Sequence, residues 1–330
     1  MRSLGFGMFD SVTVTAPARL HLGFLDLNGG LGRRFGSLGL AIDRPATRLS
    51  LARASKRSAS GQDADRASRY LAELARQWGL TQNYALTIVE AIPPHAGLGS
   101  GTKLALALAA ALRHLENLCG ARATDALMLR RGARSGVGTG LFDRGGLIVD
   151  GGRGPLTSVP PVLARIEFPP EWRVVLVIDP SMQGAHGSAE QTAFARLPEL
   201  SPASAAEICR LVLIKALPAL VEADIGSFGG AIARIQEITG DYFAPAQGGA
   251  RYLSPAVAQI MDELCRFGAQ GAGQSSWGPS GFAFAASAAG AQEMLDLTQD
   301  TAAALGLDML ICKGVNHGAL VEGKAFAAIK

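Results

Sequence analysis

The central stretch of the sequence runs from Pro93 to Leu108 and reads Pro-Pro-His-Ala-Gly-Leu-Gly-Ser-Gly-Thr-Lys-Leu-Ala-Leu-Ala-Leu. An extended apolar segment, Tyr84 to Ile92, comes directly before it, and an Ala- and Leu-rich run without a helix breaker continues to about Gly120. Short apolar runs that end at proline are typical of strands, and long Ala- and Leu-rich runs are typical of helices. The stretch therefore predicts a strand, a glycine loop and a helix.

The glycine loop is predicted to hold a diphosphate group. Glycines at alternate positions let backbone N–H groups turn toward one point, because no Cβ blocks the approach of a ligand, and the start of a helix attracts anions. The residues assigned to this site are Gly97, Leu98, Gly99, Ser100, Gly101, Thr102 and Lys103. Lys103 is the most informative, because a cation in the first turn opposes the helix dipole unless an anion lies nearby. The alternative is an ordinary capped core helix with a glycine-rich entry.

Length and composition indicate a globular protein with two lobes. The chain has 330 residues, 48% of them hydrophobic and 18% charged. Prolines between residues 155 and 171 indicate a boundary between an N-terminal lobe, 1–160, which carries the glycine loop, and a C-terminal lobe, 161–330. The four cysteines form no CxxC pair and are predicted to be reduced core residues.

The charge pattern and hydropathy exclude two classes of partner. The net charge is +3, and the arginines form no stripe with interleaved aromatic residues, so nucleic acid is not expected. No apolar run reaches the roughly 18 residues that a membrane span requires, and residues 1–10 lack a signal-like apolar core. We therefore expect no membrane contact and a cytoplasmic location.

The segment Pro17 to Gly23 reads Pro-Ala-Arg-Leu-His-Leu-Gly, so polar and apolar residues alternate. Because strand side chains point alternately to opposite faces, Arg19 and His21 are expected on one face, with Asp26 following after an offset. Two interpretations remain open. Either this face lines a cleft and contacts substrate, or it is the solvent face of an edge strand.

A second glycine-rich region, Arg134 to Gly152, ends in the predicted strand Leu147 to Val149. Asp143, Arg144 and Asp150 lie at its turns and are the best acidic and basic candidates in the first half of the chain. The alternative for Asp143 and Arg144 is that they only stabilise a hairpin.

A third group of polar residues lies in two loops, each next to a strand predicted in the second half of the chain. The apolar run Arg173 to Ile178 leads into a loop that carries His186 and Glu190, which helical spacing would put on one face as acid/base groups or substrate contacts. A Gly- and Ser-rich loop with Ser275, Ser276 and Trp277 precedes the strand predicted at 282–286. Trp277 either stacks on a substrate ring or packs as a loop anchor.

Together these loops resemble the GHMP kinase superfamily, through the Pro-Ala-Arg-Leu-His-Leu-Gly, Pro-Pro-His-Ala-Gly-Leu-Gly-Ser-Gly and C-terminal Gly/Ser/Pro segments. The resemblance implies an α+β fold of two GHMP-type lobes, with the site between them and phosphates on the central loop. Two departures argue against kinase chemistry. Gly101 stands where these kinases have a second, metal-supporting Ser, and Gly138 stands where they have a catalytic Asp.

With these departures the sequence resembles a non-kinase branch of the superfamily, the β-ribofuranosylaminobenzene 5′-phosphate synthases of tetrahydromethanopterin biosynthesis. The motifs Arg-Ser-Gly-Val-Gly-Thr-Gly-Leu-Phe-Asp-Arg-Gly-Gly and Gln-Ser-Ser-Trp-Gly-Pro carry this resemblance. It implies condensation of 4-aminobenzoate or 4-hydroxybenzoate with 5-phosphoribosyl 1-diphosphate, releasing CO2 and diphosphate, with Mg2+. A GHMP-type kinase and a non-catalytic ligand-binding relative are the alternatives.

The resemblance also implies roles for the candidate residues, and a homodimer is the default for a soluble enzyme. Expected catalytic residues are Lys103, Asp143 and Arg144; expected substrate contacts are Arg19, His21, Asp26, His186, Glu190, Ser275, Ser276 and Trp277; expected metal-supporting carboxylates are Asp143, Asp150 and Glu190.

Overall fold

A computed structural model describes residues 9–325 except Ala121, Ala133 and His186. The substrate contact predicted for His186 therefore lies outside the described residues. Within them, no helix is long and apolar enough to cross a membrane.

Strands and helices follow one another along the chain in runs of one kind. The strands are β1 (Phe9–Asp26), β2 (Phe35–Ala54), β3 (Ser58–Gly61), β4 (Asn83–Glu90), β5 (Leu147–Asp150), β6 (Val162–Ile166), β7 (Arg173–Ile178), β8 (Ala272–Gln274), β9 (Ser280–Ala285), β10 (Asp308–Lys313) and β11 (Leu320–Ala325). The α-helices are α1 (Ala64–Gln77), α2 (Ser100–Glu116), α3 (Arg122–Met128), α4 (Val137–Arg144), α5 (Gly187–Arg196), α6 (Pro202–Leu211), α7 (Leu217–Val221), α8 (Ile225–Phe243), α9 (Pro255–Arg266) and α10 (Ala288–Ala304).

Two sheets organise these elements. Seven strands form the first sheet, in which β11, β1, β2, β4 and β3 are neighbours in that order, β5 pairs with β2, and β6 pairs with β5. Four antiparallel strands form the second sheet, in the order β10, β7, β9, β8. Helices cover the sheets, so the predicted α+β class is confirmed.

Helix α2 is buried almost all round, which is expected for a helix inside a core rather than on a surface. Its residues from Lys103 to Leu112 are all buried, and its Ala and Leu side chains pack with α1 against the first sheet. Each fully buried Leu contributes about 1.5–3 kcal/mol relative to its exposed state. The glycine loop that enters α2 is thus fixed to a rigid support.

The largest core cluster lies between the two sheets. It contains Leu20 and Leu22 of β1 together with Leu176 of β7 and Phe284 of β9. The two lobes therefore share one apolar contact region, and elements of both are held firmly at the site. The boundary predicted at 160 stays a prediction; strands β6 and β11 join the first sheet from beyond it.

Some local expectations need correction. The apolar runs at 38–42 and 46–52 each suggest a separate strand, but both belong to one continuous strand, β2. The pattern at 204–217 suggests a helix that ends or kinks at Pro218, whereas the chain passes through a π-helical segment, Val212–Ala216, directly before α7. The cysteines are not all core residues, because Cys312 is buried whereas Cys119, Cys209 and Cys265 are exposed.

Candidate active site

The glycine loop docks on the edge of β1. In its first half β1 pairs with both β11 and β2, but from Ala18 onward it pairs, among the described strands, with β2 alone. The backbone N–H of Arg19 donates to Leu98 O at 3.0 Å. The backbone N–H of His21 donates to Ser275 Oγ at 3.0 Å, and that hydroxyl donates to Gly97 O at 2.9 Å. Three segments that the sequence singled out therefore meet at one edge.

Glycine is required where these loops touch. Gly97 has φ +80°, and a Cβ there would lie 2.1 Å from Ser275 O. A Cβ at Gly278 would lie 2.2 Å from Ala96 O, and one at Gly184 would lie 2.3 Å from Trp277 O. Such approaches are closer than any real carbon–oxygen contact, so a larger residue at these positions would force the loops apart.

The start of helix α2 carries backbone N–H donors next to the glycine loop. Gly99 is in the left-handed conformation at the N-cap, and Thr102 N–H and Lys103 N–H both donate to its carbonyl, at 3.2 and 3.1 Å. The N–H groups of Ser100 and Gly101 precede this first intrahelical pair. Donors at this position, with the positive end of the helix dipole, favour an anion; binding of a diphosphate here stays a prediction.

Lys103 is fully buried beneath the loop. Its ammonium donates to Gly138 O at 3.3 Å and lies 5.8 Å from the centre of the Phe142 ring. Burial, reinforced by the nearby Arg19 guanidinium and only partly opposed by Asp143, lowers the pKa of Lys103 to about 7. A buried ammonium with so little compensation is expected to gain most when an anion binds.

Arg19 extends along the loop from β1. Its Nη2 donates to Gly97 O at 3.3 Å, whereas its Nε is buried without a hydrogen-bond partner. Burial lowers the pKa of the guanidinium to about 10, although Glu190 raises it. Because the glycine loop covers this edge of β1 and the Arg19 side chain contacts the loop, the structure favours the cleft interpretation over a solvent-facing edge.

His21 lies on the same strand, facing a small cavity. Its side chain is 4% exposed and its ring centre is 4.5 Å from that of Phe24. Burial, with the positive charges of Arg19 and Arg134, holds the pKa of His21 well below its usual value. The imidazole is therefore neutral at pH 7 and offers one donor and one acceptor.

Glu190 joins the two lobes rather than standing alone. From helix α5 it forms a two-point ion pair with Arg134, whose Nη2 lies 3.1 Å from Glu190 Oε2. The Arg134 guanidinium also covers the Phe194 ring at 5.2 Å. The negative charge of Glu190 is thus engaged by Arg134, a residue that the sequence analysis did not select, although it begins the second glycine-rich region.

Asp150 holds neighbouring backbone in place through hydrogen bonds. Its Oδ2 accepts hydrogen bonds from Ser135 Oγ, Gly136 N–H and Val137 N–H, and its Oδ1 accepts one from Gly152 N–H, at 2.8–3.2 Å. The residue is fully buried, which raises the pKa of the carboxyl group despite these bonds. These contacts fix the N-terminus of α4 beside the glycine loop.

Asp143 and Arg144 lie in the last turn of α4 and are exposed. This position is the end of a helix, so the hairpin alternative does not describe it. The charge of Asp143 nevertheless reaches Lys103, whose pKa it raises. Catalytic roles for the two residues stay predictions.

The remaining candidates divide between turns and packing. Asp26 accepts hydrogen bonds from the N–H groups of Asn28 and Gly29, at 2.7 and 2.9 Å, and so stabilises a turn. Ser276 has φ +57° and lines the cavity beside His21. Trp277 is buried, with its ring centre 4.4 Å from that of Phe243 and 5.2 Å from that of Phe194. This is the loop-anchor arrangement; contact of Trp277 with a substrate stays a prediction.

The predicted metal carboxylates do not come together. Within residues 9–325, apart from the three that are not described, no group of three or more His, Cys, Asp or Glu residues could hold a metal ion. Asp150 is occupied by backbone and hydroxyl donors, and Glu190 is paired with Arg134. A metal site built from protein ligands alone does not fit these residues.

The fold and the loop geometry define the class of protein. The family models "GHMP kinases N terminal domain" and "GHMP kinases C terminal" match residues 65–145 and 216–297. A solved structure of homoserine kinase from Cytophaga hutchinsonii has a TM-score of 0.67 at 17% identity, covering 97% of this chain and all of that one. The chain has the GHMP kinase fold.

Two curated relatives show the family to which the chain belongs. β-Ribofuranosylphenol 5′-phosphate synthase from Archaeoglobus fulgidus is 34% identical over 67% of this chain and 74% of its own length. The synthase of the same name from Methanothermobacter thermautotrophicus is 30% identical over 83% of this chain and 88% of its own. The chain belongs to this synthase family and is an enzyme of the same kind, a pentosyltransferase.

Proposed function

We propose that the enzyme condenses 4-hydroxybenzoate or 4-aminobenzoate with 5-phosphoribosyl 1-diphosphate, releasing CO2 and diphosphate, as a step of tetrahydromethanopterin biosynthesis. These relatives are named β-ribofuranosylphenol 5′-phosphate synthases, and a ribofuranosylphenol 5′-phosphate is the product expected from 4-hydroxybenzoate. We therefore take 4-hydroxybenzoate as the first substrate to test.

The observation that carries the proposal is the pair of cationic side chains, Lys103 and Arg19, at the glycine loop. Lys103 is fully buried, and Arg19 has a buried Nε without a partner, so both carry a desolvation cost in the free protein. An incoming diphosphate would offset this cost by accepting charge-assisted hydrogen bonds from both side chains and from the N–H groups of Ser100 and Gly101. These interactions strengthen as negative charge develops on the leaving group, which is the condition for catalysis.

The proposed reaction balances without an oxidant or a dedicated base. The C1′–O bond to diphosphate breaks, and the electron pair leaves with the diphosphate. A bond then forms between C1′ and the ring carbon that carries the carboxylate. The C–CO2 bond breaks, and its electron pair restores the aromatic ring. The enzyme's main tasks are to hold the leaving group, exclude water and aim the ring.

We place the aryl acid at a small cavity beside the loop, part of which is open to solvent. Phe24 and Phe243 supply aromatic walls, and the neutral His21 supplies polar atoms. The amide of Gln274 donates to Gln247 Oε1 at 2.8 Å, so the polar lining is fixed in place.

Mg2+ enters the proposal as a companion of the diphosphate. Phosphate oxygens and water supply most ligands of Mg2+ in such complexes, and the described carboxylates provide no complete site. We assign no step to a protein-held metal.

The alternative function is phosphorylation by ATP, and the structure gives it little support. The position of a kinase carboxylate is Gly138, whose carbonyl accepts the hydrogen bond of Lys103. A Cβ at Gly138 would lie 3.1 Å from Thr102 Cγ2, so a carboxylate side chain at this position would crowd Thr102.

The test is a CO2-trapping assay with carboxyl-labelled 4-hydroxybenzoate and, separately, 4-aminobenzoate. We expect labelled CO2 only when phosphoribosyl diphosphate is present, with reactions lacking Mg2+ measuring the metal requirement. Absence of sugar-dependent CO2 with both acids would contradict the proposal. ATP consumption with a small alcohol would favour the kinase.

Variants of Thr239, which lines the cavity, test where the aryl acid binds. Thr239→Met fills space and is expected to raise KM for the aryl acid at least tenfold, while KM for phosphoribosyl diphosphate stays within about twofold. Thr239→Val preserves the volume and is the matched control. An unchanged KM in the Met variant would exclude this cavity as the aryl site.

A further inference from the structure

The guanidinium of Arg131 covers the first turn of α2. A Cβ at Gly101 would lie 3.1 Å from Arg131 Cζ and 3.2 and 3.3 Å from its two Nη atoms. The absence of a side chain at residue 101 is therefore what allows this cation to reach the helix start. No sequence pattern connects Gly101 with an arginine 30 residues further along the chain.

Tyr70 of helix α1 fixes the orientation of this arginine. Its hydroxyl accepts hydrogen bonds from Arg131 Nε at 3.2 Å and Nη2 at 2.6 Å. The guanidinium carbon also lies 5.8 Å from the centre of the Tyr70 ring. Both anchoring contacts use a neutral partner, and they leave Nη1 for another acceptor.

The positive charge of Arg131 is not balanced locally. In the part of the chain that the structure describes, this guanidinium forms no ion pair with a carboxylate. It lies beside the positive end of the α2 dipole, on the same helix turn that buries Lys103. Cations at this end of a helix are unfavourable unless an anion accompanies them.

An independent observation points to the same ligand. Arg19 approaches the loop from β1, with its Nε 3.4 Å from the Cβ position of Gly99, and this Nε is buried without a partner. Arg19 and Arg131 thus contact neighbouring residues of one turn, Gly99 and Gly101. An anion with several oxygens could accept from both.

We propose that Arg131 is a diphosphate-binding residue and that Tyr70 is its positioning residue. Arg131 donates from Nη1 to the leaving diphosphate at the start of α2, while Gly101 provides the necessary space. The inference deepens the proposed function, because it assigns part of the recognition of the diphosphate group of phosphoribosyl diphosphate.

The experiment measures binding of inorganic diphosphate to the full-length protein by calorimetry. We expect Arg131→Gln to weaken binding at least tenfold, as expected for the loss of a charge-assisted hydrogen bond. Arg131→Lys keeps the positive charge but lacks the paired N–H donors of the guanidinium, so its loss of diphosphate affinity is expected to be smaller. The matched control is Arg130→Gln, which removes an exposed charge one residue away and should change binding less than twofold.

Two further variants separate binding from folding. Tyr70→Phe removes only the anchoring hydroxyl and is expected to weaken diphosphate binding about threefold or more without lowering the thermal midpoint appreciably. Gly101→Ala places a Cβ against the guanidinium and is expected to weaken binding while Arg131 itself is intact. In turnover assays, Arg131→Gln should raise KM for phosphoribosyl diphosphate but not KM for the aryl acid.

Diphosphate affinity that is the same in wild type, Arg131→Gln and Tyr70→Phe would overturn the inference, even if CO2 release establishes the synthase reaction. Arg131-dependent diphosphate binding without CO2 release would support the inference while the proposed reaction fails. Equal weakening by Arg131→Gln and Arg130→Gln would indicate general charge attraction and would also overturn it.

Discussion

Replacement of Lys103 by methionine is expected to stabilise the fold and to weaken diphosphate binding at the same time. The ammonium is fully buried, and its pKa is lowered from 10.5 to about 7, chiefly by burial and then by Arg19. Methionine has a similar length and no charge, so it removes the burial cost with little change in packing.

The stabilisation should depend on pH in a defined direction. Because the folded-state pKa of Lys103 lies below the unfolded-state value, the folded protein bears the full cost below pH 7. The cost falls between pH 7 and pH 10.5 and disappears above that range. At 1.36 kcal/mol per pKa unit, the predicted gain from Lys103→Met is about 4 kcal/mol at pH 7 and about 2 kcal/mol at pH 9.

Urea unfolding at 25 °C, at pH 7 and pH 9, measures this difference. Lys215→Met, which removes an exposed lysine, is the matched control and should change the free energy of unfolding by no more than about 0.5 kcal/mol at either pH. Calorimetry with diphosphate should show a large loss of affinity for Lys103→Met only. A gain that is equal at the two pH values, or a destabilised Met variant, would refute the reasoning.

Three other variants test the supports of the site. Gly97→Ala would place a Cβ 2.1 Å from Ser275 O; phosphoribosyl diphosphate binding, followed by calorimetry, should be lost, and retained affinity would contradict the docking of the two loops. Asp150→Asn disrupts hydrogen bonds to a buried carboxylate and should lower the free energy of unfolding by about 2–3 kcal/mol, whereas an unchanged urea midpoint would contradict its structural role. Trp277→Phe should lower stability by roughly 1–2 kcal/mol with KM for the aryl acid within twofold; a large rise in KM at unchanged stability would instead support the substrate contact predicted from the sequence.

Local pattern predicts the helices and several strands well. The helix predicted after the glycine loop is observed as Ser100–Glu116, and the strand predicted at 173–178 is observed at the same residues. Both have a strong periodic or continuous apolar pattern. β11 was missed, because its residues are mostly exposed and its pairing with β1 joins opposite ends of the chain.

The site is only partly accessible to sequence reasoning. Glycine spacing indicates the anion loop, and alternation in β1 puts Arg19 and His21 on one side. No pattern indicates that Arg131 contacts Gly101, or that Glu190 is paired with Arg134, because both contacts depend on how distant elements pack. A carboxylate such as Asp150 is a reasonable metal ligand by residue type alone. In the structure its oxygens instead accept hydrogen bonds from backbone N–H groups.

The most direct measurement of the proposed reaction is its stoichiometry and the bond it forms. Wild-type enzyme is incubated with ring-labelled 4-hydroxybenzoate and phosphoribosyl diphosphate, and CO2, diphosphate and riboside are quantified in the same reaction. We expect equal amounts of all three, with carbon NMR showing a bond between ribose C1′ and the ring carbon that lost its carboxyl group. Diphosphate released without CO2, or a product linked through the phenol oxygen, would contradict the proposed decarboxylating transfer.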